Sequence, residues 1–426
     1  LKTPNKISSV ILWSVISAAF IGPGTVTTAV TAGSQYKLQL LWSVVFATVG
    51  CIVLQEISAR ISIASGMTFG QSLTKKFGTK KGRLLQWLVG GSVVFGCAAY
   101  EAGNILGAVA GLELLTGLSA KLLTVMVTLL AGIVLWYGGK TWISNIMMAL
   151  VLIMGIAFFA LAFTQPLSGS DLFLSSVIPR IPDGAEWIVL GLVGTTIVPY
   201  NIFIGAGISK GETIPLMRIG LSISVLIGGL ITAAILVAGI SVEKFGSFQE
   251  LAAALSQQVG TWGGLALALG LFAAGFSSAI TSPYASALIA STVFGSDNKN
   301  NIRAVWMAVL LTGFLFGISG VKPIPVILAV QAINGLVLPL LTLYLIIIVN
   351  DPAIVPTHQR HGLLYNVLLL VVLITVLLIG LNNLDKVISK LLSLSSESHV
   401  GLVFFATALV VGYAGMTIFR PGKASN

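Results

Sequence analysis

The stretch Phe20-Ile21-Gly22-Pro23-Gly24-Thr25 places a proline between two glycines in the middle of an otherwise apolar segment. A second stretch, Gly194-Thr195-Thr196-Ile197-Val198-Pro199-Tyr200-Asn201, sets a glycine and a proline into another apolar segment, with Pro199 standing 176 residues after Pro23. Proline removes a backbone donor and clashes with the preceding turn, and glycine permits unwinding, so a helix carrying either stretch is interrupted there. Both lie inside segments long enough to cross a bilayer. Backbone freed at that depth must be buried in protein or line a cavity.

The rest of the chain supports a membrane setting. Of 426 residues 56% are hydrophobic and 8% charged, and the mean hydropathy is +1.01; soluble domains carry about 25% charged residues. Apolar runs near the roughly 20 residues needed for a span recur along its length. They predict about twelve helices, near 7–33, 38–65, 84–116, 118–138, 143–164, 186–208, 213–242, 260–293, 302–320, 323–349, 361–381 and 398–419, in one all-α integral membrane domain over 1–426. The broken helices are the first and the sixth, the same position in two groups of five. Five spans per group make the second group enter from the opposite side, which is a 5+5 inverted repeat. The first repeat is 7–164, the second 186–349, and 361–419 holds two peripheral helices.

The net charge of +10 would suggest nucleic acid in a soluble protein. Here Lys75, Lys76, Lys80, Lys81 and Arg83 gather in one inter-helix turn, and the bias of such residues to one side puts both termini in the cytoplasm of a multi-pass cell-membrane protein. Lipid is the expected partner, and nucleic acid is not. Cys51 and Cys97 each sit in an apolar helix, so neither a disulfide framework nor a thiolate metal site is indicated. The first apolar segment reads as a mature span and not as a signal peptide. No nucleophile–base pair, phosphate loop or nucleotide motif appears, so neither catalysis nor a cofactor is expected. No repeated filter or ring of charge points to a channel.

The interrupted segments resemble those of the Nramp family, divalent-metal importers with the leucine-transporter fold. That family breaks its first helix at Asp-Pro-Gly-Asn, against Gly22-Pro23-Gly24-Thr25, followed by Ala32-Gly33-Ser34-Gln35-Tyr36. Its sixth helix reads Gly-Ala-Thr-Val-Met-Pro-His-Asn, against Gly194 to Asn201. Ser58-Ala59-Arg60, Ala274-Gly275-Phe276-Ser277-Ser278-Ala279-Ile280-Thr281 and Leu338-Pro339 resemble its second, eighth and tenth helices. The resemblance implies a transporter with a central site between broken helices 1 and 6, working by alternating access. At the positions of the family's aspartate, asparagine, methionine and backbone-carbonyl ligands stand Gly22, Thr25, Val198 and the carbonyl of Thr195. Carboxylate and thioether are both missing.

A divalent ion stripped of water needs charged or strongly dipolar ligands, and sulfur supplies the softness that favours manganese and iron. What remains is an uncharged polar cup of Thr25, Thr28, Thr195, Thr196, Tyr200 and Asn201, and on the tenth span Gln331 stands where the resemblance implies a polar residue that can approach it. Half-helix N-termini at Gly24 and Pro199 would present N–H groups to an anion. The expected substrate is therefore a small polar or anionic solute; the alternative is a partly hydrated divalent cation, Mg2+ ahead of Mn2+ and Fe2+. The threonines have a competing use in back-bonding and helix packing.

Coupling to H+ or Na+ is expected. Glu101 and Asn104 stand where the resemblance implies two acids of a proton route, and a carboxylate inside a membrane is a functional candidate by default. A structural hydrogen bond to a neighbouring helix is its other reading. On the eighth span Ala274, Ser277 and Ser278, and again Ser278, Thr281 and Ser282, share a face at i, i+3, i+4, a pattern similar to sodium sites of leucine-transporter relatives. Tight helix packing uses the same pattern. Glu56 and Arg60, four residues apart, read as a structural ion pair.

Overall fold

The computed structural model describes residues 6–209, 211–242, 245–292, 298–392 and 400–419. These residues form α1 (Lys6–Phe20), α2 (Pro23–Tyr36), α3 (Leu41–Ser65), α4 (Phe69–Phe77), α5 (Thr79–Thr116), α6 (Ala120–Tyr137), α7 (Lys140–Ala162), α8 (Gly169–Val177) and α9 (Glu186–Thr196). There follow α10 (Pro199–Ile208), α11 (Ile214–Gly239), α12 (Phe248–Val259), α13 (Thr261–Thr292), α14 (Lys299–Ile318), α15 (Pro323–Val349), α16 (Leu363–Leu392) and α17 (Val400–Phe419).

Nine of these spans, counting α9 with α10 as one, are long and apolar enough to cross a membrane, and the bent pair α1–α2 makes ten. α15 and α16 add apolar stretches at Leu338–Val349 and Leu363–Leu378. The stretches left between the expected spans at 165–185 and 243–259 are not wholly irregular. They hold α8 and α12, each started by a serine whose side chain accepts from the backbone three residues on, Ser168 from Asp171 N at 3.1 Å and Ser247 from Glu250 N at 3.1 Å.

Both interruptions fall where proline and glycine place them. Gly22 is the N-cap of α2 and Val198 that of α10, with Pro23 and Pro199 at the first helical positions. A proline there loses an N–H that had no partner in any case. The two breaks differ in shape. α1 and α2 bend by 64°, whereas α9 and α10 continue as one 23-residue span, so the second proline interrupts the backbone ladder without a sharp turn.

The broken helices sit inside the bundle. In the span 186–208, 83% of the most apolar window is buried against protein, compared with 28% in α6 and α14 and 11% in α17. The outer helices turn Leu129, Ile156, Leu311 and Phe405 outward, as helices facing lipid do. α5 and α13 make the most extensive helix pair and border the breaks. The first break rests on α5 at Gly107, where an added Cβ would lie 2.1 Å from Pro23 Cγ. A glycine at that point lets the kinked backbone and the scaffold helix touch.

Glu56 anchors a polar cluster at the end of the bundle where α3 ends. Its Oε1 accepts from Arg60 Nε at 3.0 Å and Arg218 Nε at 2.9 Å, and its Oε2 from His361 Nε2 at 2.7 Å and Tyr365 at 3.3 Å. Arg60 also donates to the carbonyl of Gln359. The expected two-residue pair is thus the core of a junction joining α3, α11 and the segment leading into α16.

Candidate substrate site

Between the two breaks lies a closed cavity with about 210 Å3 of empty space, of which about 10 Å3 admits the centre of a water-sized sphere. That is room for one water or one bare ion. Thr25, Asn104, Thr195, Tyr200 and Ser278 supply its polar lining and Phe20, Gly22 and Val198 much of the rest. Each of the five polar residues is 3% exposed or less, so the cavity lies deep inside the bundle.

Side chains supplement the backbone at the C-terminal carbonyls of α1, where a broken helix leaves acceptors spare. Asn201 Nδ2 donates to Ile16 O at 3.2 Å, Ser277 Oγ to Ala18 O at 3.1 Å and Tyr200 to Ala19 O at 2.8 Å, while Thr25 donates to Phe20 O. The sequence reads Thr25, Tyr200 and Asn201 as a substrate cup and Ser277 as a possible sodium ligand, but here they hold the frayed helix end together. Thr195 Oγ1 has no partner although fully buried. It is the free oxygen of the cavity wall.

Gly22 explains the missing aspartate in space as well as in charge. A Cβ there would meet Ser278 Oγ at 2.9 Å and sit 3.7 Å from Asn104 Oδ1. Two neutral oxygens thus point at the place a carboxylate would occupy. Tyr100, which shares the Asn104 face of α5 at i, i+4, closes the cavity by packing edge-on against the Tyr200 ring at 5.7 Å. Neither Tyr100 nor the wall formed by Ala19 and Phe20 was expected; the i, i+4 relation to Asn104 was the signal for the tyrosine.

Several expected residues stand outside the cavity. Thr196 back-bonds to Leu192 O at 2.9 Å, and Thr28 packs where a Cβ on Gly191 would touch it at 2.8 Å, so both serve helix structure. Asn201 points at α1 and not into the space. Of the proposed sodium ligands, Ser277 and Ser278 reach the carbonyl of the first broken helix, Ser278 at 3.5 Å. Both donate to that carbonyl in place of leaving it for an ion. Thr281 back-bonds to Ser277 O at 3.1 Å, Ser282 donates to Cys97 O at 2.8 Å, and Ala274 accepts from Ser277. The side chain of Gln331 lies outside the described residues.

Glu101 is fully buried and does not line the cavity itself. It packs at Gly313 of α14, where a Cβ would meet its Cγ at 2.8 Å. Its Oε2 accepts from Asn104 Nδ2 at 3.2 Å, and its Oε1 has no hydrogen-bond partner. Asn104 is therefore the bridge between the buried carboxyl and the cavity. Among the described residues no three His, Cys, Asp or Glu side chains cluster as a metal site.

Paired helix breaks around a buried polar cavity define a membrane transporter of the broken-helix class. The chain belongs to the Natural resistance-associated macrophage protein-like family, whose pattern matches residues 14–384. Among curated relatives, the divalent metal cation transporter MntH of Caldanaerobacter subterraneus is 25% identical over 361 residues, 79% of this chain and 83% of the relative. That of Erwinia tasmaniensis is 24% identical over 89% of this chain and 95% of the relative. The MntH of Verminephrobacter eiseniae is 30% identical over 203 residues, 47% of this chain and 45% of that protein's own length.

Among solved structures, the manganese transporter of Eremococcus coleocola superposes with a TM-score of 0.77 at 17% identity, covering 97% of this chain and 93% of that one. Mhp1, a nucleobase-cation-symport-1 family transporter in a closed conformation, gives 0.56 at 15% identity, over 98% and 94%. The fold is the leucine-transporter-like arrangement that the paired breaks predict.

Proposed function

We propose that this chain is a secondary transporter that carries a small, hard divalent cation by alternating access, with Mg2+ preferred over Mn2+ and Fe2+. Its relatives are named for divalent metals, and the observation that carries the reading is the size of the cavity. A buried space for one water-sized body has no room for the small polar or anionic solute that the missing ligands first suggest. Its lining oxygens belong to Thr25, Asn104, Thr195 and Ser278, all neutral and hard. Without thioether or direct carboxylate such a set favours magnesium chemistry over manganese or iron. Four neutral oxygens are a sparse shell for a divalent ion, so the cation reaches the open form of the site partly hydrated and gives up water as the cavity closes to the size of a bare ion, which an organic solute cannot do.

Glu101, bonded to Asn104 behind the cavity wall, is the nearby carboxyl that can exchange a proton as the ion comes and goes, and its partnerless Oε1 suits it to hold that proton. Both termini lie in the cytoplasm, on the charge bias described above. Calorimetry on the purified chain tests the substrate. Mg2+ should bind with a stoichiometry of one and lose affinity in Thr195→Val, and Mn2+ should bind more weakly. Failure of either metal to release or absorb heat, together with unchanged melting in their presence, would remove the cation reading.

A further inference from the structure

We propose that the groove between α4 and the first turns of α5 binds the phosphate headgroup of an anionic phospholipid, gripped by Lys75 and Arg83. The groove encloses about 760 Å3. α4 contributes Gln71, Thr74 and Lys75 to it, and α5 contributes Thr79, Arg83 and Gln86, with Trp87 at its edge.

Its two walls are fixed to each other. A Cβ on Gly82 would lie 2.5 Å from Thr74 Cα, so the helices touch backbone to backbone at that point. Thr68 and Gln71 form a reciprocal capping box that fixes the start of α4, with distances of 3.3 and 2.8 Å. Gln71 and Thr74 thereby stand in place before any ligand arrives.

The charge is one-sided. Residues 75–83 hold Lys75, Lys76, Lys80, Lys81 and Arg83 and no acid. Lys76 is engaged by Asp351 at 2.6 Å. Among the described residues neither Lys75 nor Arg83 has an ion-pair partner, and no carboxylate lines the groove. A phosphate diester accepts hydrogen bonds from ammonium and guanidinium groups together.

Depth and apolar surface distinguish a lipid from a free anion. α5 has 38 residues, about 57 Å at 1.5 Å per residue, whereas a bilayer with headgroups measures about 40–45 Å. The helix outruns the membrane, which leaves its first turns at headgroup level. Directly after Arg83 the surface turns apolar and outward, with Leu84 61%, Trp87 59% and Leu88 54% exposed. A lipid satisfies both parts, its phosphate in the groove and its chains along these residues, with tryptophan at the boundary as in interfacial belts. A soluble phosphate has no use for the apolar half.

Native mass spectrometry of the full chain in detergent, titrated with phosphatidylglycerol or phosphatidylcholine, tests the site. The chain should retain phosphatidylglycerol preferentially, and Lys75→Gln with Arg83→Gln should weaken that retention by roughly tenfold or more. Lys80→Gln with Lys81→Gln, outside the groove lining, and Lys121→Gln, on another turn, should leave it within about twofold. Equal retention of both lipids would overturn the proposal. So would an equal loss in the Lys80/Lys81 pair, which would mean diffuse attraction without a site. Displacement of the lipid by inorganic phosphate at equal concentration would overturn it in favour of a soluble anion.

Discussion

At residue scale, the proposed choice of cargo turns on Gly22 and Thr195, which both line the cavity. A carboxylate cannot simply be restored at Gly22, because its Cβ would press on Ser278 Oγ. Gly22→Asp alone should therefore melt at a lower temperature and gain little metal affinity, while Gly22→Asp with Ser278→Gly should bind Mn2+ at least tenfold more tightly than the unaltered chain, measured by calorimetry. Glu101→Gln removes the ionisable group and keeps the bond to Asn104. Uptake by this variant should lose its dependence on an imposed pH gradient, read with a pH-sensitive dye inside vesicles. The sequence made some of this legible. Glycine at 22 and valine at 198 announce missing ligands, and Thr25, Thr195 and Tyr200 do line the space. Period and spacing could not tell Thr195, with its free hydroxyl, from Thr196, one residue on, whose hydroxyl turns back to Leu192. Which of two adjacent threonines faces a cavity is set by the angle at which α9 enters the bundle.

At the scale of elements, two features carry predictions. The contact of Pro23 with Gly107 requires a residue without Cβ, so Gly107→Val should displace the break from α5 and abolish uptake even where protein still reaches the membrane. The Glu56 junction ties α3, α11 and the start of α16. Truncating a buried carboxylate that serves several cations leaves them without a counter-charge, so Glu56→Ala should cost about 3 kcal/mol or more, seen as a lower melting temperature in detergent.

His361 adds a pH dependence to that junction. Burial holds its pKa below the usual 6.5, against the pull of Glu56. The folded state thus favours the neutral ring, whose Nε2 donates to Glu56 while Nδ1 is left without a partner. Because the unfolded chain takes up this proton more readily, stability should be undiminished above pH 6.5 and should fall as the pH drops from there through the lower folded value. His361→Asn should flatten that part of the melting profile. The helix breaks were readable because proline and glycine act locally. The junction was not, since its partners stand 162 and 305 residues from Glu56 and only the i, i+4 contact with Arg60 leaves a trace in the sequence. The starts of α8 and α12 were readable in principle, from Ser168-Gly169-Ser170-Asp171 and Ser247-Phe248-Gln249-Glu250, which carry the capping pattern.

At the scale of the whole molecule, the sharp bend between α1 and α2 and the shallow break between α9 and α10 give the two halves unequal breaks around one buried cavity. Such an arrangement lets a bundle rock against a scaffold while the central site stays put. α5 and α13 pack together over most of their length, and the end of α1 is held by side-chain hydrogen bonds from Asn201, Ser277 and Tyr200. The apolar composition makes the membrane class plain and predicts about twelve spans, of which ten are long and apolar enough to cross a membrane among the described residues, whereas cargo depends on a cavity whose size no sequence pattern reports.

Flux into proteoliposomes tests the central claim most directly. Vesicles holding this chain and a Mg2+-sensitive dye should take up Mg2+ in a saturable way, faster than Mn2+ in matched vesicles, and Thr195→Val should slow uptake about tenfold or more. Vesicles that take up neither metal above the protein-free background, with the chain folded and correctly inserted, would contradict it.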